Sequence, residues 1–166
     1  MSMPARGTPS KLAQSAGRAP DAADSTRTPL PGPDDVLRQT LPNGITVLAR
    51  ENWSAPSVVV EGYLMVGNLD EGANPPGLAS FTVSMLSRGT KNRTFAEINE
   101  TIEGVGASIG FSADRHITNF STKSLAEDID LVLDVLSDEL RRPAFPAEYV
   151  ERIRGMRLTA IAEREN

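Results

Sequence analysis

Residues Gly77 to Thr90 read GLASFTVSMLSRGT, and the rest of the chain is arranged around what this stretch can do. Leu78, Phe81 and Met85 recur at i, i+3 and i+7, the spacing of a helix that buries one apolar stripe. Ser80, Ser84 and Ser87 recur at i, i+4 and i+7, which gives the same helix a small polar face. A nucleophilic serine needs a neighbouring base, and the whole chain holds one histidine, His116, and no cysteine. The serines therefore read as the polar side of a packing helix, and a serine hydrolase is set aside.

Toward the N-terminus, VLRQTLPNGITVLARE (Val36 to Glu51) predicts a β-hairpin. Asn43-Gly44 is expected to fill the two positive-φ positions of a type I′ turn, with Ile45, Val47 and Ala49 alternating after it. Pro56 ends the connection, and Ser57 to Val66, rich in Val, Tyr and Leu, reads as a central strand. Toward the C-terminus, Thr94 and Glu97 form a capping box for a helix whose apolar face is Phe95, Ile98 and Ile102, ending at Gly104-Val105-Gly106. GVGAS follows a helix, not a strand, and lacks the Gly-Lys-Ser/Thr ending, so it is no phosphate loop. Ala107 to Ser124 reads as two strands joined around Asp114-Arg115, with His116 at the start of the second read as a surface or hydrogen-bonded residue and not a metal ligand. Ala126 to Arg141 is an amphipathic helix with Ile129, Val132, Leu133, Leu136 and Leu140 expected inside. Pro143 stops it, and a last helix starts near Pro146.

This order predicts one α+β domain over residues 36–166, a mainly antiparallel sheet with helices packed on one face. Residues 1–35 differ in composition: Pro, Ala, Ser and Gly dominate, and Met1 to Pro20 carries Arg6, Lys11 and Arg18 without an acid. They read as a disordered leader, with a transit segment as the alternative. The formal net charge of -5 argues against nucleic-acid or membrane-surface partners. No apolar run reaches the length of a membrane span, and the absence of cysteine fits a reducing compartment; the expected location is cytoplasmic, or organellar if the leader is a transit segment.

The frame Gly77-Leu78-Ala79, Met85-Leu86 and Gly89-Thr90 resembles the metal-binding helix of the M16 metallopeptidases, the insulinase, pitrilysin and mitochondrial processing peptidase group. The resemblance extends to Leu41, Asn43 and Gly44 of the hairpin, to Gly67-Asn68-Leu69-Asp70-Glu71, and to RRPAFPAEYVERIR before the last helix. In that family the helix reads Gly-Leu-Ala-His-x-x-Glu-His, so the two histidine positions fall on Ser80 and Ser84 and the catalytic glutamate position on Val83. The third metal ligand, a glutamate on a later helix, falls at its family spacing on Ala160. Hydroxyl and methyl groups do not replace imidazole nitrogen and carboxylate oxygen at zinc, and valine cannot accept a proton from metal-bound water. The resemblance thus implies a peptidase-shaped domain with no catalytic residue, no bound zinc and no other cofactor. It implies as partner an active zinc-bearing M16 subunit, or further domains of the same protein, and extended peptides as ligand. The alternatives are a structural core subunit of a larger complex and an active zinc metalloendopeptidase. The chain stops within a charged helical run without a stop signal, as expected of a fragment of a longer protein.

Overall fold

The computed structural model of the chain describes residues 32–74 and 76–164, so the expected leader lies outside the described residues over 1–31. The chain divides into two compact units between Ala55 and Pro56. In the first, Pro33–Asp35 forms a short 3-10 helix, and β1 (Leu37–Thr40) pairs antiparallel with β2 (Thr46–Ala49), Leu37 opposite Ala49. The expected type I′ turn is not formed: Gly44 has φ +88°, but Asn43 does not enter the positive-φ region. Pro42 is the cause, because its ring holds φ negative at the first turn position. The loop closes instead by Gly44 N–H to Leu41 O (2.9 Å) and Leu41 N–H to Ile45 O (2.8 Å), a three-residue connection with glycine at the left-handed position.

The second unit holds a three-stranded antiparallel sheet, β3 (Ser57–Leu64), β4 (Ser108–Ala113) and β5 (Thr118–Leu125), in the order β3-β5-β4. Within this sheet β3 is an edge strand, not the central one expected from its Val-rich sequence. The tight β4–β5 turn occupies one side of β5, so β3 takes the other. The buried face of β5 is polar, made of Thr118, Thr122 and Ser124, which is why its sequence hides a central strand. Gly62 of β3 lies opposite Phe120 of β5, and a Cβ there would come within 2.2 Å of Phe120 Cζ.

Four helices follow the expected order: α1 (Leu78–Leu86), α2 (Phe95–Gly104), α3 (Ile129–Arg141) and α4 (Ala147–Arg164). The capping box of α2 forms as predicted, Thr94 N–H donating to Glu97 Oε2 (2.7 Å) and Glu97 N–H to Thr94 Oγ1 (3.3 Å). The core centres on Ile98 and Ile102 of α2 with Val132 and Val135 of α3, covered by Val105, Ala107 and Ile109. Two expected core assignments change. Leu133 of α3 is 39 % exposed, because the inward stripe is Val132, Val135, Leu136 and Glu139 at i, i+3, i+4 and i+7. Leu78 is 44 % exposed in the first turn of α1, whose buried end is Met85 and Leu86.

Two adjacent acids are buried in α3 with opposite fates. Asp138 accepts from Thr90 Oγ1 (2.5 Å), Asn92 Nδ2 (2.7 Å) and Arg93 Nη1 (3.1 Å), and pairs with Arg142 Nε (3.1 Å). Burial alone would raise its carboxyl, but these bonds and the Arg142 charge outweigh burial and hold it below its ordinary range. Glu139 has no hydrogen-bond partner for either carboxylate oxygen. Burial pushes it up to about 7, opposed weakly by the nearby Ser87 hydroxyl, which makes no well-formed hydrogen bond to it, and aided by the neighbouring Asp138 charge.

Replacing Asp138 by Ala leaves Arg93 with Asp134 alone, removes the partner of Arg142 and frees the Gly89–Thr94 loop, a loss of about 3 kcal/mol by urea denaturation. Since its folded value is depressed, that contribution is complete above the unfolded value of 3.8 and is lost as pH falls through the folded one. Glu139 has the reverse sign: stability declines as pH rises from 4.5 to about 7, where the folded chain holds a proton that the unfolded chain has released. Thermal melts of Glu139→Gln should lose this decline and exceed the unsubstituted chain at pH 8.

Candidate functional site

The residues singled out in the sequence meet on α1 and α4. The N-terminus of α1 is fixed from a distance by Glu71, whose Oε2 accepts from Gly77 N–H (2.9 Å) and Oε1 from Ala79 N–H (2.8 Å). These are two of the backbone donors that a helix start leaves free, and a carboxylate there is favoured by the helix dipole. Gly77, at φ +95°, turns the chain into the helix, on which Ser80 and Ser84, four residues apart, lie on one face.

That face is gripped by Arg157 of α4. Its Nη1 donates to Ser80 Oγ (2.9 Å), and its Nη2 donates to Ser84 Oγ (2.7 Å) and Ser80 O (2.9 Å). Ser84 Oγ also donates to Ser80 O (2.8 Å), so hydroxyls and carbonyl form one connected set. The guanidinium carbon lies 5.2 Å from the Phe81 ring centroid, close enough for the ring face to attract the cation. Residues Ser80, Phe81, Ser84 and Arg157 are all half-buried. A second anchor holds the start of α4, where Tyr149 meets Phe95 of α2 with ring centroids 5.4 Å apart. Between and beyond these anchors α4 has no buried residue, and Met156, Leu158 and Ile161 are exposed.

Val83 is half-buried on α1, and Ala160 is exposed on α4, three residues beyond Arg157. The structure thus brings Ser80 and Ser84 to α4, but through Arg157 and not at Ala160. The sequence carried one signal for it: a basic residue one helical turn before the Ala160 position, on the same side of α4. Hydroxyls and a carbonyl around a guanidinium are a donor set for a cation already present; a zinc ion would lack nitrogen, sulfur or carboxylate ligands and would be repelled by Arg157. Among the described residues no group of three or more His, Cys, Asp and Glu gathers as a metal site. His116 is exposed in the turn before β5, away from any such group.

The family model described as Insulinase (Peptidase family M16) matches residues 46–166. The chain belongs to the M16 peptidase family. This M16 chain is 32 % identical over 126 residues to a probable mitochondrial-processing peptidase subunit beta of Arabidopsis thaliana, covering 76 % of the chain and 24 % of that protein. It is 32 % identical over 132 residues to an uncharacterized zinc protease of Mycobacterium leprae, 79 % of the chain and 29 % of that protein. Among solved structures it is similar to a peptidase M16 inactive domain from Pseudomonas fluorescens, with a TM-score of 0.74, 25 % identity, and coverage of 79 % of this chain and 32 % of that one. The fold is therefore the M16 α+β fold, and the chain spans about a quarter to a third of the length of these relatives.

Arg157→Ala should release the middle of α4 from α1, because Ser80 and Ser84 cannot replace its three bonds from across the interface. Amide exchange across α4 is expected to quicken by about tenfold, as for a loss near 1.4 kcal/mol, while α2 and α3 keep their protection. Equal exchange in both forms would show that the guanidinium does not hold the helix.

Proposed function

We propose that this M16 chain belongs to a non-catalytic subunit that binds no zinc and pairs with an active, zinc-bearing M16 partner to bind extended peptides. The carrying observation is Arg157 hydrogen-bonded by Ser80 and Ser84, the two positions where the family resemblance expects metal-binding histidines. A charged side chain in that place removes the need for a metal to hold α1 to α4, and it leaves no general base, since Val83 stands at the glutamate position.

Two kinds of support come from the relatives. One solved neighbour is described as an inactive domain, and the mitochondrial-processing peptidases are described as subunits beta and, in Dictyostelium discoideum, alpha-1. Peptide binding is supported by β4, which pairs only with β5 among the described residues and packs against α1. An open strand edge can accept an extended chain by main-chain hydrogen bonds. No helix among the described residues is long and apolar enough to cross a membrane. A cytoplasmic location, or an organellar one through a basic leader, remains part of this proposal.

The test is reconstitution. The chain, expressed with an active M16 protein encoded beside it, should co-purify with that protein and show no peptide hydrolysis alone, while raising cleavage by the pair. Chelator-sensitive hydrolysis by the isolated chain, or a neighbour fully active without it and never associated with it, contradicts the proposal.

A further inference from the structure

We infer that the Arg157 site is a carboxylate receptor, selecting acidic groups of a peptide lying along β4. This rests on the peptide-binding role proposed above and specifies the chemistry it prefers.

A guanidinium carries five N–H donors and a full positive charge. Three of the donor contacts of Arg157 are committed, all to neutral oxygens: Ser80 Oγ, Ser80 O and Ser84 Oγ. Nε–H and one Nη1–H have no protein acceptor among the described residues. Three other arginines of the unit find acids: Arg93 pairs with Asp134 and Asp138, Arg142 with Asp138, and Arg154 with Glu151. Arg157 is half-buried with no carboxylate within ion-pair distance among the described residues, a situation it shares with Arg88, which rests 4.9 Å from the Phe95 ring centroid, away from the α1–α4 junction. A cation partly removed from water and lacking a counter-charge is costly, and an incoming carboxylate lowers that cost.

The surroundings fix where the carboxylate arrives. The Phe81 ring and the two serines hold the guanidinium in place, so little side-chain freedom is lost on binding. Because α1 packs against β4, a peptide added to the free edge of β4 would run beside α1 and its bound guanidinium. The polar Ser108 and Ser112 of β4 are exposed and supply no competing positive charge. The overall charge of -5 works against acidic peptides, so a preference for them can arise only from a local cation.

Fluorescence anisotropy on the full chain separates the outcomes, with three labelled ten-residue peptides of alternating Val and Thr. One has a central Glu and blocked ends, the second a central Gln and blocked ends, and the third a central Gln and a free C-terminal carboxylate. The Glu peptide or the free-carboxylate peptide should bind about tenfold tighter than the blocked Gln peptide, as for one charge-assisted hydrogen bond to a held guanidinium. Whichever of the two gains identifies a side-chain or a terminal carboxylate as the source. Arg157→Gln should erase the gain, and Arg157→Lys should retain part of it, each read as the ratio of acidic-peptide to blocked-Gln binding by the same folded variant. Equal binding of all three peptides by the unsubstituted chain overturns the carboxylate receptor and leaves peptide binding standing. No binding of any peptide overturns both. A gain that survives in a folded Arg157→Gln chain places the receptor elsewhere and also overturns this assignment.

Discussion

Among the described residues the guanidinium of Arg157 is the charge that bonds across from α4 to α1, and the account of this domain turns on it. Three hydrogen bonds to Ser80 and Ser84 tie together two helices that otherwise share little buried surface, since α4 has no buried residue. A metal ion bound by ligands from both helices would tie them in the same way, with a positive charge at the junction. The chain achieves the cross-link with a cation supplied by a side chain. The serines of α1 suit this cross-link, because a neutral hydroxyl accepts from a guanidinium without crowding it.

Around this junction the fold relies on separate devices. Glu71 secures the start of α1 through two backbone donors, so the helix that presents Ser80 and Ser84 is fixed at its first turn. Asp138 secures the far side, binding Thr90, Asn92 and Arg93 in the loop that leaves α1. The apolar core of Ile98, Ile102, Val132 and Val135 lies beneath α2 and α3 and involves neither serine. Chemistry at the serine face of α1 can therefore vary without dissolving the core, so the fold does not depend on what that face binds.

Local signals in the sequence carried much of the fold. The Thr94–Glu97 capping box, the two-strand pattern of Ala107 to Ser124 and the Pro143 stop all act through neighbours a few residues away, and each formed where expected. What was not legible depended on distant partners. The edge position of β3 follows from which sides of β5 are free, and the buried Asp138 is tolerable only because Asn92 and Arg93, more than forty residues earlier, reach it. Pro42 was legible and outweighed the Asn43-Gly44 signal in shaping the turn. At the site, Ser80 and Ser84 stood out by their place in the family frame, whereas Arg157 matched no motif position and acquires its role only when α4 folds across α1.

The most direct measurement is a crystal structure grown with excess zinc, with anomalous diffraction recorded at the zinc edge. The account predicts the Arg157 guanidinium between Ser80 and Ser84 and no anomalous peak at that junction. A zinc peak there, with Arg157 swung away from both serines, would contradict it.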